Sequence, residues 1–178
     1  KSEVFLDAIF RSSDKVVEEV IMDQDVPSSV MDQDFPAYFP PMLLDVERNK
    51  IFEKAIFAAV ENHTGDLRVI DLGCGTGLLS IFVIKAAIKR KCTIYGIEGN
   101  KYRAELAYQN LQSYLQSYRS RSRYARRYAR IKIITKLSDE VNLEDIGNAP
   151  CNMLVTETLG TFPHFEKQQV YVSNLIKR

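Results

Sequence analysis

No tryptophan occurs in the 178 residues, no C-x-x-C pair, no long apolar run and no excess of either charge. The missing tryptophan excludes little by itself. The three cysteines, Cys74, Cys92 and Cys151, are odd in number and far apart, which argues against structural zinc and for a reducing compartment. Lys and Arg number 24 against 23 Asp and Glu, a net charge of +1, so nothing pulls the whole chain toward nucleic acid or membrane. The apolar runs fall far short of the ~20 residues that span a bilayer. Residues 1–10 carry Glu3 and Asp7 and lack a long apolar core, so they do not read as a signal peptide. An intracellular protein, cytoplasmic or nuclear, is the expectation. What is present is ordinary for a globular chain: 46% hydrophobic residues and a length that fits one domain.

The most informative stretch is Val69-Ile70-Asp71-Leu72-Gly73-Cys74-Gly75-Thr76-Gly77. Leu67 to Leu72 reads as a buried strand. Leu78, Leu79, Phe82, Val83, Ala86 and Ala87 then recur at helical spacing. The glycines thus occupy a strand-to-helix turn, where a tight backbone and a close ligand leave no room for Cβ. The helix start behind them is expected to offer free N–H groups. Dinucleotide sites want Gly-x-Gly-x-x-Gly, and here Leu78 stands where the third glycine would be. Packing alone can also demand such a turn.

A second strand, Cys92 to Ile97, ends in Glu98, 21 residues after Gly77. That is close to the ~20-residue offset at which an acid meets a ribose hydroxyl in nucleotide-binding α/β folds. A solvated strand end is the plain alternative.

Elsewhere the chain reads as follows. Residues 1–36 form a helical extension, with apolar stripes broken at Ser12-Ser13-Asp14, and an acidic linker. The linker holds the echo Met22-Asp23-Gln24-Asp25 and Met31-Asp32-Gln33-Asp34. Two copies make no repeat architecture, and a solvated loop is favoured over a metal site. Residues 37–178 form the main domain. Asp45 is a candidate N-cap for a helix whose apolar face is Ile51, Phe52, Ala55, Ile56 and Ala59, ending before Gly65. A helix from Lys101 to Tyr118 buries Ala104, Leu106, Ala107, Leu111 and Leu115. Six arginines then crowd into 119–130 with Tyr124 and Tyr128. This is either a solvated insertion, favoured here, or a surface for RNA or an acidic protein. Ile131 to Thr135 is a third strand, followed by Leu137-Ser138-Asp139-Glu140-Val141 at its carboxyl end. Cys151 to Thr156 is a fourth, ended by Glu157. A helix from Lys167 to Lys177 closes the chain.

Glu157 and Glu166 stand nine positions apart around Gly160 and Pro163. A planar, permanently charged guanidinium suits a carboxylate pair. Such a pair can aim one nitrogen at a methyl donor, and in-line positioning then carries most of the transfer. Two isolated glutamates would otherwise be surface residues.

Taken together, the order of motifs resembles that of the protein arginine N-methyltransferases. Met42-Leu43-x-Asp45-x-x-Arg48 is similar to the helix before the family's glycine loop. Asp71-x-Gly73-x-Gly75-x-Gly77 resembles motif I of class I S-adenosylmethionine (SAM) methyltransferases. Glu157 through Glu166 has the spacing of the family's double-E loop. The resemblance covers residues 38–178. It implies a doubly wound, Rossmann-like α/β domain with a mostly parallel sheet, and SAM as methyl donor with S-adenosylhomocysteine as product. No metal is implied. By resemblance, Arg48 pairs with the methionyl carboxylate and Asp71, Gly73, Cys74 and Gly75 lie at the amino-acid end. Glu98 holds the ribose, and Asp139 with Leu137 or Ser138 borders the adenine. Glu157 and Glu166 clamp the substrate guanidinium, and Met42 lines the site, with Tyr38 as a looser match. The Asp45-x-x-Arg48-Asn49 and Val155-Thr156-Glu157 stretches are most similar to the branch of the seventh and ninth paralogues. Met42 leans against symmetric dimethylation.

The resemblance also implies arginine-rich protein substrates and a homo- or hetero-oligomer, with no membrane partner. The family's further strands, Thr-His-Trp loop, β-barrel and dimerisation arm have no counterpart here, so the chain is expected to be a portion or split form. Competing expectations are a class I methyltransferase of RNA or a small molecule, and a catalytically silent scaffold or regulatory subunit.

Overall fold

A computed structural model describes residues 39–121 and 129–157. The helical extension, acidic linker, Tyr38, Arg123, Arg126, Arg127, Glu166 and the closing helix lie outside the described residues. The chain divides into two compact units, residues 1–52 and 53–178.

In the first unit, α1 (Phe39–Leu44) carries Pro40 and Pro41 in its opening turn, where a helix has no acceptor waiting for their missing N–H groups. Asp45 caps α2 (Val46–Asn62) as expected: its Oδ1 accepts the Arg48 N–H at 3.0 Å. Asn49 ties the two helices by donating to the Leu43 carbonyl at 2.8 Å.

The buried face of α2 differs from the sequence expectation. Ile56 and Val60 are buried, whereas Ala55 and Ala59 are exposed and Ile51 is 68% exposed. The expected face also held Phe52 and Ile56: Ile56 is buried and Phe52 half-buried, so the row 52, 56, 60 turns inward and the row 51, 55, 59 does not. Past residue 52 the helix belongs to the second unit, where Glu53 pairs with Lys85 at 3.2 Å.

The second unit is built on β1 (Leu67–Leu72), α3 (Leu78–Ala86), β2 (Cys92–Ile97), α4 (Lys101–Arg121), β3 (Ala129–Ile134) and β4 (Met153–Thr156). The four strands form one parallel sheet in the order β3-β2-β1-β4. The chain steps outward from β1 to β3 and then returns to pair β4 on the other side of β1. Such a reversal leaves a crevice at the carboxyl ends of the strands. β1 and β2 are buried at every position but one, as expected of central parallel strands with both faces covered. On one face Ile70, Leu72, Tyr95, Ile97 and Ile134 pack with Val141 and Ile146 from the segment that follows β3. On the other, Asp71 bonds to Ser80 of α3, and a Cβ at Gly77 would touch Leu111 of α4.

Several boundaries move: β4 begins at Met153 rather than Cys151, and β3 ends at Ile134 rather than Thr135. α4 continues to Arg121 and β3 begins at Ala129, so Arg119 and Arg121 are helical and Arg130 sits in a strand. The middle of the basic stretch, residues 122–128, lies outside the described residues. α3 is buried at every residue from Leu79 to Ile84, where the spacing alone suggested a helix with an open face. Among the described residues, no helix is long and apolar enough to cross a membrane.

The returning segment is pinned by Arg68 at the start of β1. Its guanidinium donates to the carbonyls of Ile146, Ala149 and Pro150, the last two at 3.1 and 3.0 Å, and lies 5.3 Å from the Tyr95 ring centroid. Gly147 and Asn148 take positive φ of 73° and 52° inside this clasp. We predict that Arg68→Ala lowers the unfolding free energy by roughly 2 kcal/mol, the scale of losing charge-assisted hydrogen bonds. Urea denaturation reads this directly, and an unchanged midpoint would show that the clasp does not hold the segment.

Candidate active site

The three loop glycines all adopt positive φ: 68° at Gly73, 54° at Gly75 and 88° at Gly77. A side chain at any of them would be strained, which is why alternating glycines follow β1. The loop folds down onto the end of β2. Gly73 and Cys74 donate their N–H groups to the Ile97 carbonyl at 2.8 and 3.0 Å, and Gly77 donates to Cys74 at 2.7 Å. Gly75 donates to Glu98 Oε2 at 3.0 Å. From α4, Asn110 donates to the Thr76 carbonyl at 3.1 Å. These four loop amides are therefore engaged within the protein, because the turn closes against β2 before the helix begins.

Glu98 is 6% exposed at the end of β2. Its Oε1 accepts Asn100 N–H at 2.9 Å and the Arg103 Nε and Nη2 at 3.2 and 3.0 Å. Asn100 also caps α4, accepting Arg103 N–H at 2.9 Å. The expectation had not reached Arg103, Asn100 or Lys136. A signal was present for the first two: an Asn that caps a helix with a basic residue three positions on, directly after the acid.

Over the carboxyl ends of the strands lies a cavity of about 400 Å³, walled by Leu72 and Gly73, Ile97 to Asn100, Arg103, and Lys136 to Ser138. Gly73, Glu98 and Ser138 thus converge on one cavity. Ser138 is 4% exposed, and its buried Oγ has no hydrogen-bond partner among the described residues. Polar atoms so buried are ordinarily satisfied, so this hydroxyl suits a ligand in the cavity.

The other expected residues stand differently. Asp71 does not wall the cavity; it is fully buried beneath the loop, with Oδ2 accepting the Ser80 hydroxyl at 2.6 Å. Burial pushes its pKa up to about 6, hydrogen bonds from Ser80 oppose this, and the charge of Glu98 adds to it. Cys74 is also buried, and burial with the nearby acids drives its thiol well up, so it is no thiolate. Gly75 serves through its bond to Glu98. Asp139 is exposed and outside the cavity wall.

Met42 and Arg48 belong to the first unit. There Arg48 donates to the Met42 carbonyl and Asn49 Oδ1, both at 3.1 Å, and stacks 5.1 Å from the Phe52 centroid. Glu157 directly follows Thr156, which pairs in register with Leu72 and donates to its carbonyl at 2.9 Å. Glu157 therefore stands at the same level of the sheet as Gly73, on the neighbouring strand. Its expected counterpart, Glu166, lies outside the described residues. Among the described residues, no three His, Cys, Asp or Glu side chains gather as a metal site.

No protein-family model matches the sequence. Solved structures match the fold. The chain superposes on magnesium protoporphyrin IX methyltransferase from Synechocystis PCC 6803 with bound S-adenosylhomocysteine at a TM-score of 0.53 and 15% identity, covering 99% of this chain and 62% of that one. The same enzyme with bound SAM gives 0.54 and 15% over 90% of this chain and 74% of that one. The fold is thus the Rossmann-like α/β fold of methyltransferases. Among curated sequences, protein arginine N-methyltransferase 7 of Oryza sativa subsp. japonica is 32% identical over 128 residues, 66% of this chain. That of Mus musculus is 33% identical over 128 residues, 69% of this chain. The chain is related to the protein arginine N-methyltransferase family. It spans 15% and 16% of the length of these two relatives.

The buried acid sets a pH signature. In the unfolded chain Asp71 ionises near 3.8, whereas burial keeps it protonated to about pH 6 in the folded chain. Its contribution is therefore most favourable below pH 3.8 and is lost as pH rises through 6. Relative to Asp71→Asn, we expect the wild type to lose on the order of 3 kcal/mol of unfolding free energy between pH 4 and pH 7. Urea titrations of both proteins at several pH values measure the difference, and parallel curves would refute it.

Proposed function

We propose that this chain is the cofactor-binding part of a SAM-dependent methyltransferase that acts on guanidinium nitrogens of arginine residues in proteins. Histone-like or RNA-binding substrates with arginine-rich segments fit that chemistry. The observation that carries the reading is the cavity at the carboxyl ends of β1 and β2. There a buried carboxylate, a Cβ-free loop and an unpartnered buried hydroxyl meet. Those are the functions a nucleoside with an aliphatic chain asks for: an acceptor for ribose hydroxyls, a polar atom for the base edge and room for the chain.

SAM supplies an electrophilic methyl group on a sulfonium when bound. The protein's part is binding and orientation. Glu98 accepts ribose hydroxyls, Ser138 Oγ meets an edge of the base, and Gly73 leaves space beside the loop. Arg48 is assigned to the methionyl carboxylate through the family relationship. Glu157, at the level of Gly73 on the adjacent strand, receives the substrate guanidinium together with Glu166. The paired charge holds the guanidinium and directs one nitrogen, so positioning supplies most of the rate. The relationship to arginine methyltransferases supports this acceptor over RNA or a small molecule. The reading places the protein inside the cell, where SAM is made and used.

In this account Glu157→Gln removes charge at the acceptor and leaves the cofactor cavity intact. Methylation of an arginine-rich peptide should fall by about 100-fold or more, the scale of removing one transition-state partner, while the affinity for S-adenosylhomocysteine stays within about twofold. Loss of cofactor affinity with methylation of bound complex retained would overturn the assignment.

A further inference from the structure

The Glu98 carboxylate is already engaged before any ligand is considered. Oε1 accepts three N–H donors, one from Asn100 and two from Arg103. Oε2 accepts the loop N–H of Gly75. A carboxylate offers about four acceptor positions, two on each oxygen. A ribose diol that pairs with both oxygens needs a position on each. Oε1 is over-subscribed, so one of its three donors has to leave. The Asn100 N–H is fixed by the turn into α4, and Gly75 is fixed by the glycine loop. Arg103 is different: its backbone is anchored by Asn100 Oδ1, whereas its guanidinium reaches Glu98 on a long, rotatable stem. Its side chain is also more open, 22% against 7% for that of Glu98, and it forms part of the cavity wall.

We infer that Arg103 competes with the ribose for Glu98: the guanidinium occupies Oε1 in the ligand-free protein, and a ribosyl ligand enters by displacing it. This rests on the assignment of the cavity to an adenosyl cofactor. Arg103 is then an affinity-setting residue. The ribose hydroxyls return less binding than a free carboxylate would give, because each complex forfeits a partly buried ion pair. The same exchange makes the site discriminate weakly between ligands with and without the diol. Removing the guanidinium should raise both affinity and discrimination.

The test is a cycle between residue 103 and the diol, read by calorimetry on this chain with S-adenosylhomocysteine and its 2′,3′-dideoxyribosyl analogue. Arg103→Met keeps the stem and removes the charge and donors. We expect it to bind S-adenosylhomocysteine roughly tenfold more tightly, the scale of one charge-assisted hydrogen bond, with the dideoxy analogue unchanged. Arg103→Lys keeps a charge with other geometry and should fall between, which preserves the test if the Met variant unfolds. Weaker binding of S-adenosylhomocysteine with the analogue unaffected would mean that Arg103 positions Glu98 for the ribose, and would overturn the competition. Equal weakening of both ligands would mean a structural role, and would overturn it too. If neither the wild type nor any variant binds S-adenosylhomocysteine, the adenosyl reading of the cavity itself fails.

Discussion

The closure of the glycine loop onto the end of β2 is the constraint from which the rest of the site follows. The Ile97 carbonyl takes two loop N–H groups, Glu98 takes a third, and Asn110 holds the Thr76 carbonyl from α4. This requires a backbone that turns left-handed three times within five residues, hence the alternating glycines. It also spends the loop amides. A turn of this kind resembles an anion cradle in sequence, yet here the polar chemistry left for a ligand comes from side chains, chiefly Glu98 and Ser138.

Two buried acids sit close to this closure, and their environments part them. Asp71 lies fully beneath the loop with one hydroxyl for company, and it holds its proton toward pH 6. Glu98 has a guanidinium, two backbone donors and a route to the cavity. The first contributes to the architecture and makes it pH-dependent; the second is equipped to exchange partners. That division separates the enclosed carboxylate from the one that faces the cavity, although both stand near the ends of adjacent central strands.

Much of this was legible in the sequence. The strand limits Leu67–Leu72 and Cys92–Ile97 match, because continuous apolar runs bounded by glycine and charge leave few alternatives. The glycine spacing separated a methyltransferase-like turn from a dinucleotide one. The relatives that the chain matches carry the number of one of the two paralogues whose motifs it resembles. Less legible were features that depend on packing. The exposure of Ile51, Ala55 and Ala59 on α2, the burial of Val60 and the burial of α3 from Leu79 to Ile84 are decided by what lies opposite each helix. Asp71 looked like a ligand by position but turns beneath the sheet edge, since strand alternation places it on the face toward α3. Arg103 was missed because the cap that places it, Asn100, was not read together with the acid at the end of β2.

The central claim is that the cavity at the carboxyl ends of β1 and β2 holds an adenosyl ligand through Glu98. Calorimetric titration of the chain with S-adenosylhomocysteine, beside the Glu98→Ala variant checked for an unchanged fold by circular dichroism, tests it most directly. The account predicts saturable one-to-one binding by the wild type and a loss of roughly tenfold or more in the variant, the scale of losing charge-assisted hydrogen bonds to the ribose. Equal affinity in the two proteins, or no binding to the wild type, would contradict it.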